Sequence, residues 1–166
     1  MKKAKYIIPA LLLAAVCGAC FFYMRPLTLS QLCPGVNVAQ SKSVSGNYAV
    51  APDTEDSPFE ADESDARFSQ IIALFKNRQF RRSLANLLPQ GTKTHQTGAG
   101  DFRWDVAFAM DDVALPDGSV SSGTLIGVHS FYGTLEVRFN GDVWRCTTAG
   151  QDAWLKDVLA LISSGD

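Results

Sequence analysis

Asp111, Asp112 and Asp117 stand within seven positions of one another, and His95 and His129 are the chain's two imidazoles. Carboxylates and imidazole together are the raw material of general acid–base hydrolysis. That chemistry needs two groups in different environments facing one cleft. Adjacent residues at the end of a strand point to opposite sides, so Asp111 and Asp112 read more simply as turn-forming aspartates. His129 is followed by Ser130 in a strand-like run, so the two cannot face the same site, and it has no acid at fixed spacing. His95 lies in a polar Gly/Thr loop. With two histidines and no paired-cysteine motif, a zinc site is not expected.

Cys33 and Cys146 are the two cysteines beyond the first 25 residues; neither has a histidine placed to activate it, so no thiol nucleophile is expected. In an oxidising compartment they can pair with each other, or remain as a loop thiol and a buried strand thiol. Residues 51–65, APDTEDSPFEADESD, hold seven acids and no base. A calcium loop would need carboxylates at set intervals around a tight glycine. This stretch has no glycine and two prolines, so it reads as a solvated acidic loop leading into a helix. No Gly-Lys-Ser/Thr loop opens a helix, and no cofactor is expected.

What must position these residues begins with the nineteen charge-free residues Tyr6–Met24. As a helix they cover roughly 28 Å, close to the hydrocarbon thickness of a bilayer. Lys2, Lys3 and Lys5 precede them and only Arg25 follows, which places the N-terminus in the cytoplasm and the remainder outside. Leu11, Leu12 and Leu13 form the middle of this anchor. Tyr6, Phe21 and Phe22 suit its interfaces. The same features describe a cleavable secretory signal, and Cys17-Gly18-Ala19-Cys20 is similar to a lipoprotein signal acylated at Cys20. The retained single-pass anchor is the expectation carried forward; all three readings put residues 26–166 on the outer side of a membrane.

Lys2, Lys3, Lys5 and Arg25 are four of the 15 basic residues, and no acid precedes residue 26. Residues 26–166 therefore hold 11 basic against 17 acidic residues, a net charge of −6. That field argues against a nucleic-acid partner. The expected partners are membrane lipid, through the anchor, and an envelope protein.

Four segments follow: the anchor (1–25), a membrane-proximal segment (26–50), the acidic loop (51–65), and residues 66–166, with 26–166 forming one globular domain. A helix is predicted from Phe68 through Leu88, stopped by Pro89 and Gly91. Lys76, Arg78, Arg81 and Arg82 would then complement its C-terminal dipole, or Arg81 and Arg82 would meet lipid headgroups or an acidic partner. In FRWDVAFAM, apolar and smaller or polar residues alternate strictly, the mark of a strand with one buried face. TLIGVHSF, TLEVRF and DVWRCT continue as strands, and Asn140-Gly141 is a strong hairpin signal. A capping box, Thr148 to Gln151, opens a last amphipathic helix. The expected fold is α+β: a transmembrane helix, then a two-layer sandwich of a four-strand antiparallel meander covered by two helices.

A lysine-rich start, one apolar span, then RPLTLSQL and a small α+β domain ending in a helix resembles the uncharacterised single-pass or lipoprotein-like extracytoplasmic proteins of Gram-positive bacteria. The resemblance covers layout and implies no activity. The reading from residues is a tethered, non-catalytic binding or accessory module. Its candidate surface is the wet sheet face of Arg103, Asp105, Glu136 and Arg138. The alternative is an envelope hydrolase using Asp111 and Asp112 with a histidine.

Overall fold

The computed structural model describes residues 4–51, 54–88, 102–115, 118–121 and 123–165, with side chains from residue 7 onward and without those of 124 and 125. The chain is α+β. Helix α1 (Ala4–Tyr23) leads within two residues into a short strand β1 (Pro26–Leu27) and a single-turn helix α2 (Leu29–Leu32). Strands β2 (Ser43–Ala49) and β3 (Ser57–Asp62) form a hairpin before helix α3 (Ala66–Lys76). Then come β4 (Phe80–Arg82), β5 (Arg103–Met110), a small hairpin of β6 (Val113–Ala114) with β7 (Val120–Ser121), and the meander β8 (Thr124–Phe131), β9 (Thr134–Phe139) and β10 (Asp142–Thr148). Helix α4 (Gln151–Ile162) follows. The main sheet is antiparallel, with order β1-β4-β10-β9-β8-β5-β2-β3.

The period-two alternation of β5 divides the sheet. Trp104, Val106, Phe108 and Met110 are buried on the inner face, and the residues between them are half-buried on the outer face. Helices α3 and α4 cover the inner face with Ile71 and Phe75 and with Trp154, Leu155, Val158 and Ile162. Phe75 meets Trp104, Phe108 and Trp154 edge-on at centroid distances of 6.2, 5.0 and 5.1 Å. Each buried indole needs a partner for its N–H. Trp104 Nε1 donates to Leu155 O at 3.1 Å and Trp154 Nε1 to Leu74 O at 3.3 Å, which ties sheet to α4 and α4 to α3. Tight two-residue turns join the meander: Tyr132-Gly133 and Asn140-Gly141 all have φ near +50 to +85°, as a type I′ turn requires.

Several expectations are corrected. The sheet has eight strands rather than four. The acidic segment contains β3, in which Phe59 and Ala61 point inward while Pro58, Glu60 and Asp62 point out. As an edge strand it tolerates both the proline and the charges. The helix expected through residue 88 stops at Lys76, and Phe80 reaches the core from β4 instead. Arg78, Arg81 and Arg82 therefore lie beyond the helix; Leu84–Leu87 form a 3₁₀ turn with no buried residue. Asp65 caps α3 by accepting from Arg67 N at 2.7 Å. Gln151 does reach back to Thr148 N, at 3.2 Å, but Gly150 is the residue at the cap.

The expected membrane segment is helical over Ala4–Tyr23, yet among the described residues no helix is long and apolar enough to cross a membrane. Cys33 and Cys146 are both free and buried, the unbridged of the two alternatives. Burial pushes each thiol up to about 12.

Two outcomes follow. Phe75→Ala empties the centre of the aromatic cluster and lowers unfolding free energy by about 3–5 kcal/mol in urea titration, whereas Leu87→Ala, 63% exposed, changes it by less than about 0.5 kcal/mol. With thiol pKa values about 12, Cys33 and Cys146 resist a disulfide-exchange reagent at pH 8 in the native protein and react once urea unfolds it; rapid native reaction at either would contradict the packing.

Candidate functional site

Parity and register build the outer face. Asn47 pairs with Asp105, Asp105 with His129, His129 with Glu136, and Glu136 with Arg145. Directly opposed residues share a face, so one polar row crosses five strands: amide, carboxylate, imidazole, carboxylate, guanidinium. Neither α3 nor α4 covers it, because both pack on the other side. A cavity of about 410 Å³ opens here, and Arg103, Asp105, His129, Glu136 and Arg138 line it. All four residues expected on the wet face thus share one concavity. Arg103 and Glu136 are more sheltered than that expectation implied, with side chains 24% and 17% exposed.

Glu136 is the electrostatic hub. Its carboxylate meets Arg138 at 2.9 Å and Arg145 at 3.5 Å. Burial pushes its carboxyl up, but the hydrogen bond and charge of Arg138, with the charge and hydrogen bond of Arg145, outweigh that and hold it below the ordinary 4.5. Arg103 faces the other rim. It donates to Asp56 at 2.8 Å, to Tyr132 Oη at 3.3 Å and to Thr54 O at 3.2 Å, pinning the segment before β3 against the site. Asn47 Nδ2 reaches Asp105 at 3.5 Å, a long contact.

The His129 ring folds back along its own strand over Gly127. A Cβ at Gly127 would come within 2.6 Å of His129 Nε2, so the absent side chain makes the ring's seat. Burial, followed by the charge of Arg138, pushes the imidazole below 6.5, with Asp105 and Glu136 pulling the other way. It is therefore neutral at pH 7, one nitrogen a donor and the other an acceptor. Ser130 faces inward between Trp104 and Leu135; it is 1% exposed, and its Oγ has no hydrogen-bond partner among the described residues.

Asp111 and Asp112 are not brought to His129. Asp111 and Asp112 follow β5 in an exposed turn, six or more residues beyond Asp105, roughly 20 Å along the strand from the row that holds His129. His95 and Asp117 lie outside the described residues. Among the described residues no three His, Cys, Asp or Glu side chains gather closely enough to hold a metal. What the arrangement can do is recognise: a neutral imidazole, two carboxylates and two guanidinium groups present donors and acceptors at fixed strand spacing. Sequence reasoning missed Asn47, His129 and Arg145 as members, because cross-strand register rather than sequence spacing unites them.

No protein-family model, curated protein or solved structure matches this chain.

Two titrations check the site. The His129 C2 proton, followed by NMR, titrates below 6.5; Arg138→Gln moves the midpoint up and Glu136→Gln moves it down. Because the folded-state pKa of Glu136 is depressed, its contribution to stability is present above the ordinary 4.5 and disappears as pH falls through the folded value. The stability gap between wild type and Glu136→Gln is accordingly widest above about pH 5 and closes in acid; a pH-independent gap would refute the ion-pair account.

Proposed function

We propose that this chain is a membrane-anchored module whose domain lies outside the cytoplasm and binds an envelope protein through the outer face of its sheet, without catalysing a reaction. The observation that carries the reading is the uncovered polar row, Asn47–Asp105–His129–Glu136–Arg145, bordering a cavity on a face from which both large helices are absent. A partner offering complementary donors and acceptors is read by such a row, with alternate side chains setting register.

The anchor is supported by the state of α1. Ile7, Ile8, Leu11, Leu12, Leu13 and Phe21 are all more than half exposed, and Val16 and Phe22 are too. A helix apolar on every side and bare along most of its length needs an apolar surrounding. The twenty helical residues Ala4–Tyr23 have a length of about 30 Å, and the flanking lysines set the orientation. Anchoring raises the local concentration of the domain near membrane partners, so the row need not bind tightly to act.

The test places a photo-crosslinking residue at Thr134 or Arg138 in the full chain in its native membrane, with the same residue at Lys156 on the helical side as control. One discrete adduct from the outer face and none from Lys156 is the expected outcome. Adducts from Lys156 alone would overturn the assignment of the face. Intact mass of the same preparation reads the anchor: 18.0 kDa is the full chain, while a species beginning at Cys20 with added acyl mass is a lipoprotein.

A further inference from the structure

At the C-terminal end of α1 a second cavity, about 520 Å³, lies between the helix and the β1–β4 edge of the sheet. Its cationic lining is Arg25, Arg81 and Arg82; its apolar lining includes Phe21, Met24 and Leu84. Among the described residues no acidic side chain lines it. The pairing of Pro26 with Arg81 is what brings the arginines of β4, more than fifty residues away in sequence, to the helix end.

Two of these guanidinium groups rest on aromatic rings of the last turn of α1. Arg25 Cζ lies 4.1 Å from the Phe22 centroid and Arg82 Cζ 4.4 Å from that of Tyr23. Stacking leaves the N–H edges of a guanidinium available to a planar or tetrahedral oxyanion. Arg82 Nε is buried and has no hydrogen-bond partner among the described residues. The C-terminal dipole of α1 carries only about half a negative charge, too little to offset three arginines. Beside the cavity, Leu84, Leu87 and Leu88 are 39, 63 and 53% exposed on a turn that buries nothing.

We propose that this junction is a binding site for the phosphate of an anionic phospholipid. Arg25, Arg81 and Arg82 engage the headgroup, and Leu84, Leu87 and Leu88 enter the interfacial layer beside it. The bilayer rather than a soluble anion is the source because the cationic wall, the bare leucines and the end of the apolar helix are continuous. Cations directly beside apolar side chains match the boundary between phosphates and acyl chains. The inference rests on α1 being in a membrane, as proposed above.

The experiment uses the full chain reconstituted into vesicles of equal phosphatidylglycerol and phosphatidylcholine, then native mass spectrometry of the lipid that stays bound. Preferential retention of phosphatidylglycerol is expected. Retention should fall about fivefold for each of Arg25→Gln and Arg82→Gln, the weight of one basic residue at an acidic membrane surface. Arg25 lies outside every strand, so Arg25→Gln keeps the test valid if Arg82→Gln disturbs folding, which near-UV circular dichroism reports. Equal retention of both lipids, undiminished retention in Arg25→Gln, or displacement by excess inorganic phosphate overturns the site. A chain that floats with the vesicles yet shows no preference sinks this inference alone. A chain that stays out of the vesicles sinks the anchor as well.

Discussion

The structure depends on the wedge that Phe75 drives between Trp104 and Trp154. One ring from α3 meets one indole from the sheet and one from α4, and each indole has spent its N–H on a helix carbonyl. Edge-on aromatic pairs contribute about 0.5–1.5 kcal/mol each beyond area burial, so the cluster fixes orientation as well as filling space. Because both helices are committed to this side of the sheet, neither covers the other side. The polar face is a consequence of where the aromatics are.

On that face the charged residues both pack the loops and border the cavity. Arg103 holds Asp56 and Thr54 O while lining the cavity, and Glu136 gathers Arg138 and Arg145 while sitting beside His129. Partly sheltered as they are, these ion pairs contribute modest stability. Their effect here is geometric: long side chains that would sweep through solvent are held in place. The net result is a surface whose donors and acceptors are largely fixed before any partner arrives, which lowers the entropy lost on binding.

The readable parts of the sequence were those governed by local rules. Period two in Arg103–Met110, the Asn140-Gly141 turn and the stripe of α4 each follow from spacing within a few residues. The same alternation placed Arg103, Asp105, Glu136 and Arg138 on one face. What escaped depended on distant partners. Phe80 looks like a continuation of the α3 stripe until β10 is seen to pair with it, and the acids of β3 mask its two inward residues, Phe59 and Ala61. His129 looked solitary because its neighbours Asp105 and Glu136 come from the adjacent strands. The leucines after β4 fall within the helix expected through Leu88; with α3 ended at Lys76 they are bare surface.

The strand order also sorts charge. Arg25, Arg81 and Arg82 belong to the β1–β4 edge, while Glu60, Asp62, Glu63 and Asp65 belong to β3 and the turn after it, at the opposite edge. Seven inter-strand steps of about 4.8 Å separate β1 from β3, roughly 34 Å. Among the described residues the two edges carry opposite excess charge, Arg67 on Asp65 excepted, and the positive end of that dipole adjoins α1 across a connection of two residues. Beside a negatively charged surface such a dipole experiences a torque. It draws the basic edge inward and turns the acidic edge away, so the domain has a preferred posture before any specific contact forms.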